Sequence, residues 1–287
     1  MLTTFQPRPC PTPKPTGIGA GAWRVGAAAG LVLWASLAAA APFEVAVAPT
    51  RLTLASDAGQ RIGQSLKIYN LGAQSTALSF RTLDWSFSDT DELKFHDELL
   101  PGSCRPWVSL ERRTSQISAR NDVSFRFQVD VPVGAPRGEC RFMIAVEGID
   151  PAQQAIINSG GASLNLPVSG RIAVAVYLAV GGAKPKLELQ HIGTDSLRKE
   201  RQPVVRVTNT GDAHGRLDGV LEATNADGTT FELMPDGGPV LPGQSRMLVL
   251  NAKAIGKAAP PALQYPLKVE GTLDWDEGAF KIKATLP

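Results

Sequence analysis

Cys104 and Cys140 are the residues of this chain with the type and setting for covalent chemistry. The third cysteine, Cys10, stands in a Pro-Arg-Pro-Cys context without the apolar residues of a lipidation site, inside a leader that export removes. Two thiols in an oxidising compartment predict one disulfide, Cys104–Cys140. The other reading of the same residues is two separate buried thiols. A bridge would stabilise the fold by roughly 3–4 kcal/mol in the chain-entropy model.

The remaining chemistry-bearing types are scattered. His96, His191 and His214 lie far apart, with no carboxylate or cysteine at ligand spacing, so no metal site is expected. Ser196 and Lys199 match Ser-x-x-Lys, but in a polar loop and without the companion motifs of that hydrolase class. Neither Gly-x-Ser-x-Gly nor a phosphate-cradling glycine pattern occurs. Asp218, Asp227 and Asp236 each precede a glycine and read as turn residues, not as a calcium loop. Trp85, Trp107 and Asp274-Trp275-Asp276 could form a carbohydrate platform, although buried or rim tryptophans are commoner in β-sandwiches. The chain therefore predicts a non-enzyme that needs no cofactor.

What positions these residues begins with a leader. Arg8, Lys14 and Arg24 form a positive segment, and no acidic residue occurs before Glu44. An apolar stretch from Val25 to Leu37 follows, then Ala38-Ala39-Ala40, an A-x-A cleavage site. The stretch is short and no stop-transfer charge cluster follows, which favours a cleaved signal peptide at 1–40 over an uncleaved anchor. The whole chain has a formal charge of +2, yet its three leader cations leave 26 basic against 27 acidic residues after cleavage. The exported part is thus close to neutral. It has no basic cluster interleaved with aromatics, so nucleic acid is not an expected partner.

After the leader, helical periodicity is nearly absent. Short β-rich runs recur between Gly, Pro, Asn and Asp. They are 44–54, 64–70, 76–87, 107–111, 123–131, 140–147 and 163–180, then, past Gly181-Gly182, 186–191, 202–209, 216–223, 230–233, 246–252, 265–274 and 280–286. Segment 258–263 reads as loop. About seven strands, twice over, predict an all-β protein of two tandem immunoglobulin-like β-sandwich domains, at 41–182 and 183–287. The short linker predicts a fixed angle between them.

The run 163–180 alternates for longer than one hairpin requires. Leu164, Leu166, Val168, Ile172, Val174, Val176, Leu178 and Val180 hold the even positions. Pro167 lacks the N–H for a ladder hydrogen bond and marks an edge strand. Together with Val47-Ala48-Pro49-Thr50-Arg51-Leu52-Thr53-Leu54, Leu66-Lys67-Ile68-Tyr69-Asn70, Trp107-Val108-Ser109-Leu110, Val207-Thr208-Asn209-Thr210-Gly211 and Val240-Leu241-Pro242-Gly243, this pattern resembles the PapD-like periplasmic chaperones of pilus assembly.

That resemblance implies a function and a site. In such chaperones an edge strand displays alternating apolar residues and completes an immunoglobulin-like subunit that lacks its last strand. Leu164, Leu166 and Val168 match those positions. The subunit's C-terminal carboxylate is held between the domains by an arginine of the first strand and a lysine of the long one. Arg51 matches the arginine. Ala173 stands where the lysine is expected, and Arg171, two residues earlier on the same face, is the candidate substitute. The implied setting is the periplasm. Implied partners are secreted pilus subunits, an outer-membrane usher and a self-capping homodimer. A tandem immunoglobulin-like structural or adhesive envelope protein is the alternative reading.

Overall fold

The computed structural model describes residues 43–88, 92–149, 153–159, 162–168, 170–195, 201–255 and 259–287, with backbone pairing alone for 153–159 and 162–168. The expected leader at 1–40 lies outside the described residues. Those residues form strands, one 3-10 turn at Arg105–Trp107 and connecting loops, so the all-β, two-sandwich class is the one found.

The first sandwich contains β1 (Val45–Ala48), β2 (Arg51–Ser56), β3 (Arg61–Asn70), β4 (Thr76–Phe87), β5 (Leu93–His96) and β6 (Val108–Leu110). It continues with β7 (Thr114–Ile117), β8 (Asp122–Asp130), β9 (Gly138–Gly148), β10 (Gln153–Ser159), β11 (Ala162–Val168) and β12 (Arg171–Val180). One layer runs β1-β3-β8-β6. The other runs β2-β12-β9-β4, with β5 and β7 pairing opposite ends of β4. Strands β10 and β11 form a separate two-stranded ladder.

Two expected strands are each divided. The run 44–54 breaks at Pro49, where β1 pairs with β3 in one layer and β2 pairs in parallel with β12 in the other. Proline cannot donate to a ladder, so it marks the place where the chain changes layers. The run 163–180 breaks between Val168 and Arg171, giving β11 its partner β10 and leaving β12 between β9 and β2.

Alternation sends Val174, Val176, Leu178 and Val180 of β12 into the core, against Phe142, Ile144 and Val146 of β9. Aromatic pairs lock the layers together. Phe80 of β4 stacks on Phe125 of β8 with centroids 4.2 Å apart, and Phe127 of β8 meets Phe142 edge-on at 6.3 Å. The disulfide Cys104–Cys140 ties the segment before the 3-10 turn to β9, with Cα atoms 5.9 Å apart and Cys104 fully buried.

The second sandwich comprises β13 (Leu187–Asp195), β14 (Gln202–Asn209), β15 (Gly215–Arg216), β16 (Asp218–Thr224) and β17 (Thr230–Pro235). After these come β18 (Pro239–Val240), β19 (Ser245–Lys253), β20 (Leu267–Trp275) and β21 (Gly278–Leu286). Strand β19 pairs with β14 over its first half and with β17 over its second, so it passes from one layer to the other. Leu221, Phe231, Leu233, Leu248 and Leu267 fill the core between them. Residues 259–263, within the segment expected as loop, are neither strand nor helix.

Each sandwich uses the same device where an early strand ends. Asn70 donates to the carbonyls of Gln74 (2.7 Å) and Ile117 (3.0 Å) and accepts from the Gly72 N–H (3.0 Å). Asn209 donates to Ala213 (2.7 Å) and Val240 (2.8 Å) and accepts from Gly211 (2.9 Å) and Lys186 (3.2 Å). Both amides are buried. Replacing Asn209 by alanine strands the carbonyls of Ala213 and Val240, and an expected loss of about 2–3 kcal/mol is read by chemical denaturation.

Between the sandwiches, Gly181 and Gly182 take φ values of 65° and 72°, a conformation in which side chains are strained. Arg137 clamps this turn. It donates to the Gly181 carbonyl (3.3 Å) and pairs with Asp212 of the second sandwich (2.6 Å), which also accepts from the Lys184 N–H (2.7 Å).

Candidate binding cleft between the two sandwiches

Strand β2 runs beside β12 with Arg51 opposite Ala175 and Thr53 opposite Tyr177. Core residues alternate with outward ones, so Arg51, Thr53 and Ala55 share the outer face of this sheet with Arg171, Ala173, Ala175, Tyr177 and Ala179. Strand β9 adds Glu139 opposite Ala179, Arg141 opposite Tyr177 and Glu147 opposite Arg171.

The second sandwich packs on this face. Leu241 joins Leu83, Trp85, Met143, Ala145 and Tyr177 in one buried cluster. The His214 ring stacks on Tyr177 at 3.9 Å, and Arg216 reaches the same residue, donating from Nη2 to the hydroxyl at 3.1 Å. Arg246 lies over Phe87, 4.3 Å from the ring centre. Glu139 accepts from the His214 backbone N–H at 2.9 Å and also meets Nδ1; the two side chains are 1% and 7% exposed. The packing leaves a cleft of about 840 Å³ lined by Arg51, Glu139, His214, Arg216 and the exposed acids Asp218, Asp274, Asp276 and Glu277.

Burial dominates the electrostatics. It pushes Arg141 and Arg216 below the ordinary guanidinium range, and the nearby Arg51 charge adds to the shift at Arg216. The Tyr177 hydroxyl is pushed up by the same desolvation. Of the buried side-chain polar atoms without a hydrogen-bond partner among the described residues, Glu139 Oε1, Arg141 Nε and Arg216 Nε lie together here.

The structure separates the two arginines selected from the sequence. Arg51 is exposed in the cleft and makes no hydrogen bond or ion pair with the described residues. Arg171 lies four positions before Ala175, about 13 Å along the strand. There it contacts Glu147, which also receives Arg81 at 2.9 and 3.1 Å, and it sits 5.9 Å from the Phe95 ring. The Arg81 hydrogen bonds hold the Glu147 carboxyl below its usual range. Arg171 and Arg51 therefore do not converge. The guanidinium that shares the cleft with Arg51 is Arg216, from the other half of the chain. No spacing rule could have found it, because the contact depends on how two sandwiches meet.

Leu164, Leu166 and Val168 occupy alternate positions of β11, opposite Ile157, Ala155 and Gln153 of β10. The other edge of β11 has no strand partner among the described residues. The tryptophans do not form a platform: Trp85 sits in the cluster between sandwiches, Trp107 packs on the first core and Trp275 on the second. No group of three metal-ligating side chains occurs among the described residues. A further depression of about 610 Å³ lies over Gly63, Ser109 and Gln128, with only Arg126 and Glu111 as charged lining.

No family model and no curated relative matches the chain. Solved structures are similar to it at low identity. The crystal structure of the YadV chaperone is 14% identical and covers 85% of this chain and 100% of its own, with a TM-score of 0.45. The E. coli chaperone DraB is 15% identical, covering 85% and 97%, with a TM-score of 0.45. The Salmonella enterica complex of SafA pilin with the SafB chaperone gives 14%, 84% and 97%, with a TM-score of 0.44.

Proposed function

We propose that this protein is a periplasmic chaperone of pilus subunits, which lends an edge strand to an incomplete subunit and delivers it to an outer-membrane usher. The observation that carries this reading is the exposed Arg51 in the cleft, without an ion-pair partner among the described residues, at the start of the strand that flanks β12. Strand β2 covers β12 only from Ala175 onward, and Arg171–Val174 pair on the β9 side alone among the described residues. A guest strand beside β11 and this part of β12 would end at Arg51. To present its C-terminal carboxylate there, it must run parallel to β12. The guanidinium then fixes its register, and a slip of one residue would turn Leu164, Leu166 and Val168 away from the guest's groove.

Co-expression with a neighbouring small secreted subunit tests the reading. The subunit is expected as a soluble 1:1 complex. Arg51→Ala lowers its affinity about 10- to 100-fold, the worth of a charge-assisted pair. Leu166→Asp abolishes the complex. A subunit equally soluble without this protein would refute the proposal. Retention of the protein in the finished surface structure would instead mark a structural or adhesive component.

A further inference from the structure

The cleft contains more buried cationic groups than its buried acid can pair. Arg141 and Arg216 surround one enclosed carboxylate, Glu139, whose Oε2 already faces His214. Arg216 crosses from the second sandwich. Its Nη1 donates to the Gly237 carbonyl and its Nη2 to the Tyr177 hydroxyl, which fixes the guanidinium plane and leaves Nε unpaired. Arg51 stands diagonally across from Tyr177, one strand away on the same face, and lines the same cleft. Both line the same cleft, and the Arg51 charge bears on the Arg216 guanidinium.

We propose that Arg216 is the second cation of the cleft, so that a ligand carboxylate lies between Arg51 and Arg216 and is gripped by both sandwiches at once. This rests on the reading of Arg51 as a carboxylate anchor and adds to it a residue from the opposite domain. The arrangement has a mechanical consequence. Arg216 is held against Tyr177 of the first sandwich by the same hydroxyl contact that aims it, so a bound carboxylate adds a further tie across the interface. The fixed guanidinium plane of Arg216 suits a planar, two-oxygen acceptor.

The lining also sets the class of ligand. Asp218, Asp274, Asp276 and Glu277 are exposed and acidic, and Glu277 is balanced by Lys184 at 3.0 Å. A small polyanion meets this negative mouth on its way in. A polypeptide end carrying one carboxylate behind neutral or basic residues does not suffer the same repulsion. A chain terminus therefore fits this mouth better than a small polyanion does.

The test uses the full exported protein labelled with nitrogen-15 and three probes. These are a peptide of alternating valine and threonine with a free carboxylate, the same peptide amidated, and inorganic phosphate. The free acid is expected to shift the Nε–H signals of both Arg51 and Arg216, and the amide neither. Arg216→Gln is expected to cut the preference for acid over amide about tenfold or more, with partial recovery in Arg216→Lys. Tyr177→Phe keeps the ring packing but frees Nη2, and its preference falls by about threefold, which covers the case of a poorly folded Arg216→Gln. If Arg51→Ala destroys the preference while Arg216→Gln and Tyr177→Phe leave it intact, the inference is overturned and the Arg51 anchor stands. If no variant changes it, both fail. Phosphate competing as well as the free acid overturns the chain-end assignment.

Discussion

Replacing Glu139 by alanine lowers stability by about 3–5 kcal/mol. The side chain is 1% exposed and stands between the two sandwiches, with His214 on one side and the buried cations Arg141 and Arg216 nearby. For Arg141 the attraction of Glu139 outweighs that of Asp84, the other acid within reach. Removing the carboxylate leaves charges that water cannot solvate, and that penalty exceeds what the intact pair contributes. Glutamine keeps an oxygen for the His214 N–H but not the charge, so Glu139→Gln is expected to fall between alanine and the native protein. Since the lost contact joins two domains, the loss also uncouples them. Calorimetry should resolve two transitions in Glu139→Ala where the native protein gives one merged transition. A change below about 1 kcal/mol, with one transition retained, would mean that solvent reaches this pair and that the cleft floor is not closed.

Much of the fold was legible because its signals are local. Strands β4 and β14 begin and end at the positions expected from alternation, since turn residues bound them: Asn70-Leu71-Gly72 before one, and Asn209-Thr210-Gly211 after the other. Strands β5, β7, β10 and β18 have no counterpart among the expected runs. Thr114–Ile117 is mostly polar, and Leu93–His96 is four residues long, so neither holds a period long enough to read. The run 163–180 reads as continuous for the opposite reason: apolar alternation persists across 169–170, and it reports which face is buried but not which neighbour a strand pairs with. In 44–54 the apolar positions shift from Val45 and Val47 to Leu52 and Leu54 across Pro49, a change of phase that coincides with the division. Hydrogen-bond partners are chosen by the tertiary fold.

The cleft was legible in proportion to how much of it lies on one strand. Arg51 could be selected only through the resemblance, in which an arginine follows a threonine in the opening strand. Arg171 was selected by face, and face was right: it shares the outer surface with Arg51. Distance along the strand decided otherwise, because Glu147 and Arg81 lie at that end of the sheet. Glu139, His214 and Arg216 had no signal. Glu139 and His214 are 75 residues apart, in different sandwiches, and neither sits in a motif.

Removing the disulfide, by Cys104→Ala with Cys140→Ala, lowers stability by about 4 kcal/mol, the chain-entropy value for its loop. The bridge spans a sequence separation of 36. For a chain of this size that loss corresponds to a fall in Tm of about 8–16 °C. Alanine is the cleaner replacement, because Cys104 is fully buried in the apolar core and a serine there would add an unpaired hydroxyl. The effect should not stop at stability. Cys140 lies in β9 between Glu139 and Arg141, whose side chains face the cleft while the sulfur faces the core. Losing the bridge at position 140 lets this stretch of β9 move, so the double variant is expected to discriminate less between a free and an amidated peptide carboxylate even below its melting transition. Calorimetry of the double variant and the peptide comparison separate the two consequences. A fall under about 3 °C would show that the 104–140 loop is already ordered in the unfolded chain, and that the bridge secures β9 by contacts and not by entropy.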